Sequence, residues 1–148
     1  MRIFLAAAAL AAFTLPALPA SANEIAQCLA NTDGSGEACK GIVALPCLDT
    51  EAGMSTHGQV DCIAGETVLW DEVLNADYKR LMALLDQEQK DALRTAQRAW
   101  IALRDADCGF PHILVRGTMA RPWGADCMRE MTADRVLWLR GFLSYLAN

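Results

Sequence analysis

Residues 56–85 read THGQVDCIAGETVLWDEVLNADYKRLMALL, a run with no proline. Within it Val60, Ile63, Thr67, Trp70, Leu74, Tyr78, Leu81 and Leu85 succeed one another in steps of three or four. That spacing keeps side chains on one face of an α-helix and does not fit the two-residue period of a strand. Ser55 or Thr56 supplies the side-chain oxygen that the first free N–H groups of a helix require. A break near Asp86 follows. Gln89–Asp107 is again helical in composition, with Ala92, Ala96, Trp100 and Leu103 on one side. Cys108-Gly109-Phe110-Pro111 reads as its stop, because glycine and proline end helices. After an expected loop over 109–125, Met128, Met131, Arg135, Leu139, Phe142 and Leu146 predict a third helix from Asp126 to about Leu146. The expected fold is all-α: a disulfide-stabilised helical hairpin, a third helix packed across it, and a short cysteine-rich N-terminal region.

Upstream of this core the first 22 residues differ in kind, 17 of them being apolar. Arg2, the apolar run Ile3 to Leu15 and the small-residue site Ala20-Ser21-Ala22 have the form of a secretory leader, with cleavage before Asn23. The run before Pro16 is short for a membrane span, and Gln27 is a poor neighbour for lipid attachment at Cys28. The expectation is a leader over 1–22 and one domain over 23–148, periplasmic or secreted, with no stable membrane insertion once the leader is gone. The 148 residues leave no room for a large multidomain enzyme or a multispanning membrane protein. The formal charge of −5 becomes −6 without Arg2. That balance argues against nucleic acid, which needs clustered lysine and arginine, and suits a basic protein partner.

Six cysteines, at 28, 39, 47, 62, 108 and 127, all follow the leader. An even count in an exported chain reads as three disulfides. Zinc would favour short Cys-x2-Cys pairs, and the two histidines, His57 and His112, stand far apart. Neither a metal nor another cofactor is expected. Two consecutive helices with a short break pack antiparallel. With the turn at residue 85, Cys62 and Cys108 each stand 23 residues away and come level; Glu66 and Arg104 each stand 19 away. This arithmetic predicts a Cys62–Cys108 bond with a Glu66–Arg104 ion pair one turn inside it. Cys47–Cys127 and Cys28–Cys39 complete the favoured set, and closure of Cys108 on Cys127 competes, among fifteen connectivities in all. The region 23–56 holds at most short helices, near Glu24–Ala30 and Glu37–Ala44, and needs stapling to keep its shape.

These residues also form a pattern. Cys62-x3-Glu66-x7-Leu74-Asn75-x2-Tyr78-x2-Leu81 is followed by Leu93-Arg94-x-Ala96-Gln97-Arg98-Ala99-Trp100-x3-Arg104-Asp105-Ala106-x-Cys108. Gly117-Thr118, Cys127 and Thr132-x2-Arg135 come next. Together they resemble the LprI N-terminal domain, a small exported family named after a lysozyme inhibitor of the mycobacterial envelope. The likeness covers about Cys47 to Leu139 and leaves 23–46 as an extension. It implies a helical, disulfide-linked fold and, by the family's name, a lysozyme partner. It carries no inhibitory motif that can be placed on this chain.

Among chemical candidates, Glu66, Asp71 and Asp77 would have to form a matched pair in a cleft to hydrolyse a glycoside. Asp71 turns away from Glu66, and Asp77 reads as solvated surface, so no catalytic residue is assigned and the chain is not expected to be an enzyme. Asn75 and Gln97 read as buried hydrogen-bonding links; Trp70, Tyr78 and Trp100 as core. The 109–125 segment is the better place for binding. It combines Phe110, Ile113, Leu114, Met119 and Trp123 with His112, Arg116 and Arg121. An arginine entering an acidic catalytic cleft makes physical sense, so Arg116, Arg121, Trp123 and His112 are the candidate partner-binding residues. The expected function is an exported protein-binding module, with lysozyme inhibition as the activity the resemblance implies. A non-enzymatic envelope structural or assembly protein is the alternative, and a small hydrolase the third reading.

Overall fold

A computed structural model describes residues 20–32 and 35–148. Every regular element among them is helical: α1 (Ala20–Asn31), α2 (Ala44–Leu48), α3 (Thr56–Leu84), α4 (Gln87–Leu114) and α5 (Ala120–Ala147), with 3-10 turns at Glu37–Cys39 and Glu51–Met54. The expected leader lies, apart from its last three residues, outside the described residues.

The long helices begin where their caps are. Ser55 Oγ accepts from Gly58 N at the start of α3. At the start of α4 Asp86 accepts from Gln89 N, and the Gln89 side chain accepts from Asp86 N in return. Reciprocal bonding of this kind satisfies two orphan donors at once. Leu85 and Asp86 are extended, which reverses the chain between α3 and α4.

Two boundaries differ from expectation. α4 does not stop at Cys108 but runs through Pro111 to Leu114, with Val115 N donating to Pro111 O at 2.9 Å. Proline costs its own N–H bond and strains the turn before it, but the Cys108–Cys127 bond and a close approach of α4 to α5 hold this last turn. At Gly124 an added Cβ would stand 3.0 Å from both Cys108 O and His112 Nε2. α5 begins at Ala120, six residues earlier than expected, with Pro122 in its first turn, where the N–H has no partner to lose. The long loop shrinks to residues 115–119.

α5 runs parallel to α3 and antiparallel to α4 and packs along both, whereas the backbones of α3 and α4 scarcely approach one another. The hairpin's two arms are thus held through the third helix. Trp70, Leu74, Leu81, Leu93, Val136 and Leu139 fill the core. Ile25 and Leu29 of α1, with Cys39, join the same core. Burying a side chain as large as Ile25 contributes roughly 1.5–3 kcal/mol, so the N-terminal region is part of the domain's interior and more than an appendage.

The disulfides are Cys28–Cys39, Cys47–Cys62 and Cys108–Cys127. The first pairing agrees with expectation. The favoured Cys62–Cys108 and Cys47–Cys127 pairings are corrected. Cys62 and Cys108 do lie toward one end of the molecule, but on helices kept apart by α5; α2 folds Cys47 back onto α3, and Cys108 faces α5.

A disulfide-clamped tip and the bonds that hold the scaffold

The expected Glu66–Arg104 ion pair does not form. Arg104 pairs with its neighbour Asp105 at 3.0 Å and stacks on Trp100, 4.9 Å from the ring centre. Glu66 is fully buried and turned the other way. Its carboxylate accepts from Gly41 N and Ala44 N at 2.8 Å, Val43 N at 3.0 Å and Trp70 Nε1 at 3.0 Å, with Arg129 Nη1 at 3.4 Å. One side chain of α3 therefore fastens the N-terminal segment to the three-helix core. Burial alone would raise the carboxyl's pKa, but the N–H groups of Ala44 and Gly41, then the Trp70 indole and Val43 N–H, outweigh it and hold it below the usual range.

Asp77, expected on the surface, is buried as well, receiving Arg140 Nε at 2.7 Å and Arg80 Nη1 at 3.1 Å. Glu66 meets Arg129 and Asp77 meets Arg140 across the same offset of 63 residues. Two acids three turns apart on α3 thus match two arginines three turns apart on α5. Lys40 gathers Glu37, Glu130 and Asp134. Burial lowers its pKa, but hydrogen bonds from its ammonium to Asp134 and Glu37 more than compensate and raise it above the ordinary value. Asn75 is exposed and bonds Asp71 on its own helix, so it links nothing. Gln97 does link helices, accepting from Arg135 Nε at 2.9 Å. Trp70 is core, and Tyr78 and Trp100 are half-buried against it. None of the three carboxylates considered for hydrolysis faces another across a cleft: Glu66 and Asp77 are each saturated by donors, and Asp71 is on the surface.

The four candidate partner-binding residues come together at the end of the molecule where α4 meets α5. Arg116, Arg121 and Trp123 are exposed there, and His112 lies exposed beside Gly124. Around them Phe110, Ile113, Leu114 and Met119 are all exposed, Ile113 at 70% and Trp123 at 54%. Arg116 has φ 48°, a left-handed backbone that side chains other than glycine adopt at a cost of order 1 kcal/mol or more. The Cys108–Cys127 bond closes the base of this projection. Apolar side chains and two arginines are thus presented on a short turn clamped from below. The sequence located these residues but placed them on a long loop, whereas most of them sit on helix ends.

Among the described residues no group of three His, Cys, Asp or Glu side chains is placed to hold a metal ion, and no helix is long and apolar enough to cross a membrane.

Comparison with known proteins follows the scaffold. An uncharacterized protein of Rhizobium meliloti (strain 1021) is 28% identical over 92 residues, covering 53% of this chain and 66% of that protein. The match thus spans just under two thirds of that relative's length. No solved structure matches the chain. The family model described as lysozyme inhibitor LprI matches residues 47–139, more than half of the chain, from the cysteine that closes on α3 to the core leucine of α5. The chain belongs to the LprI family.

Proposed function

We propose that this protein is a non-enzymatic, exported binding module that inhibits a lysozyme by inserting its α4–α5 tip into the enzyme's cleft. The observation that carries the reading is the clamped tip itself. An aromatic anchor that becomes buried, accompanied by arginine, is the composition that dominates binding energy at protein interfaces, and the tip offers exposed Trp123 two residues after Arg121 at the start of α5, with Arg116 on the turn before it. Glycosidase clefts hold paired carboxylates, which a guanidinium engages by charge-assisted hydrogen bonds. The acidic remainder of the chain complements a basic enzyme and speeds encounter. The leader pattern and the three disulfides support a periplasmic or secreted location.

The test is inhibition of c-type and g-type lysozymes by the oxidised protein. Arg116→Ala with Arg121→Ala, and Trp123→Ala separately, are expected to weaken inhibition roughly tenfold or more each while leaving the unfolding midpoint in place, since all three side chains are exposed. Undiminished inhibition by both variants would refute the tip. Absence of inhibition by the wild-type protein would refute the lysozyme reading and favour an envelope assembly role, sought by co-purification with envelope components.

A further inference from the structure

α4 meets the rest of the molecule along one side only. Leu93 and Cys108 are its buried residues. Gln97 and Trp100 join them against α5, where Arg135, with no carboxylate within ion-pair distance, donates to Gln97 and stacks on Trp100. The other side of the helix faces outward. From Ala92 to Ile113 it carries Ala96, Ala99, Leu103, Ala106 and Phe110, in steps of four and three repeated without a break. All seven residues are exposed, Leu103 at 54% and Phe110 at 58%. A strict alternation of four and three is the seam by which one helix receives another. Among the described residues only α5 packs along α4, on the side away from this seam.

The two ends of the seam differ in shape. At its N-terminal end Gln89, Ala92 and Ala96 form the α4 wall of an open apolar groove of about 380 Å³, closed by Leu81 at the end of α3 and by Trp138 and Phe142 of α5. At its C-terminal end Phe110 and Ile113 project from the tip. A half-turn about the middle of the seam, between Ala99 and Leu103, lays Phe110 of one copy on Ala92 of another and Ile113 on Gln89, each pair being equidistant from residue 101. A convex apolar end thereby meets a concave one, twice over, which is the self-complementarity that an isologous interface requires. The charges agree. The flank beside the seam carries Glu88, Asp91, Arg98, Asp105, His112 and Arg116, all exposed. Under the same half-turn, to within two residues of level, Arg98 comes opposite Asp105, Asp91 opposite His112 and Glu88 opposite Arg116. A parallel pairing would set each charge against its own kind. A whole aromatic side chain buries about 150–250 Å², so Phe110, Trp138, Phe142 and Tyr145, between 42% and 77% exposed, offer roughly 400 Å² per chain. With Leu103, Ile113 and the alanines, the face reaches the roughly 600 Å² per partner at which specific interfaces begin.

We propose that this protein forms a two-fold homodimer in which α4 packs antiparallel on the α4 of a second copy, each copy's Phe110 and Ile113 filling the other's groove. The second copy is the occupant because the seam, the groove and the charged flank all match themselves about one point of the helix. The interface shares Phe110, Ile113 and Arg116 with the tip, so the dimer and a cleft-bound monomer are alternative states of the chain. It does not rest on the lysozyme reading and is tested with no enzyme present.

Sedimentation equilibrium and tryptophan fluorescence of the oxidised protein provide the test. The expected result is a reversible monomer–dimer equilibrium with a dissociation constant in the micromolar range, and a blue shift of emission as Trp138 is covered. Ala99→Glu, at an exposed position near the axis, should weaken the dimer roughly a hundredfold or more and leave the helical circular dichroism unchanged. Arg98→Asp and Asp105→Arg should each weaken self-association roughly tenfold or more. An equimolar mixture of these two variants should pair as a heterodimer at about wild-type strength, because residues 98 and 105 then face unlike charges at both ends. That rescue depends on the antiparallel register and would not follow from a structural role within one chain. A protein that stays monomeric at every concentration, whether or not its groove takes up an apolar dye such as anilinonaphthalene sulfonate, would overturn the proposal. So would a dimer that Ala99→Glu leaves intact, or a mixture that associates no better than its components.

Discussion

Replacing Glu66 with alanine would leave three backbone N–H groups, an indole N–H and one face of a buried guanidinium facing a void. Each orphaned buried donor costs about 1–3 kcal/mol where water cannot reach it, and breaking a buried ion pair from one side costs about 3–5 kcal/mol. These contributions overlap, because Arg129 keeps Asp126 and Glu130 at 2.7 and 2.6 Å. We expect a total near 4 kcal/mol, a large share of a small domain's stability. Glu66→Gln retains one acceptor oxygen but turns an NH2 toward donors, and should cost about half as much. The Cys47–Cys62 bond keeps residues 41–44 near α3 even when the carboxylate is gone, so the damage is expected to be local as well as global. Urea unfolding of the oxidised protein at neutral pH measures the first. Native-state hydrogen exchange at Gly41, Val43 and Ala44 measures the second, and these amides should lose protection before those of α3. A loss under about 1 kcal/mol for Glu66→Ala, with the three amides still protected, would refute the assignment of Glu66 as the fastening point.

Because the Glu66 carboxyl is held below its ordinary pKa, its contribution should be complete above the unfolded-state value of about 4.3 and fade as pH falls through the folded value. Below about pH 4 the stability of Glu66→Gln should therefore fall less steeply with pH than that of the wild-type protein, and equal slopes in the two acid titrations would refute the shift. Arg140→Ala should cost about 1–3 kcal/mol in urea unfolding, since Asp77 would keep only the exposed Arg80; a neutral result would show that the α3–α5 register does not need this pair. Two glycines of α3 should respond in opposite directions. Gly65→Ala meets nothing within 4 Å and should stabilise by about 0.5–1 kcal/mol, whereas an added Cβ at Gly58 would stand 1.6 Å from Ala52 O and should destabilise by about 1–3 kcal/mol despite its better helix propensity. Thermal unfolding of the two variants side by side decides this, and a shared sign would refute it.

The α3 stripe was legible because large apolar groups at helical spacing have few other uses: Ile63, Trp70, Leu74 and Leu81 are all buried. The same helix also buries Glu66, Leu69, Val73 and Asp77, because it is covered on a second side by α5 and the N-terminal segment, and a single stripe does not reveal a second neighbour. The Glu66–Arg104 and Cys62–Cys108 pairings failed for one reason. Distance from the turn fixes height along a hairpin but says nothing of which faces meet. Gly109 and Pro111 read as a stop because local preference ends a helix there, and a disulfide formed with a later segment carried it about two turns further. The candidate tip residues were found from composition, an excess of exposed-seeming apolar and basic side chains. Arg135 could be read only as a stripe position, since its lack of a counter-ion is a property of the folded surroundings.

The three disulfides join each cysteine to its immediate successor along the chain, at separations of 11, 15 and 19 residues. Of the fifteen ways to pair six thiols, this one has the shortest loops, and loop-closure entropy favours short loops. It is also the order in which partners meet when a polypeptide is delivered N-terminus first into an oxidising space. Each sulfur finds its mate before any later one arrives, so no wrong bond has to be undone. Delivery order and native connectivity coincide, and maturation of this chain should depend little on disulfide shuffling.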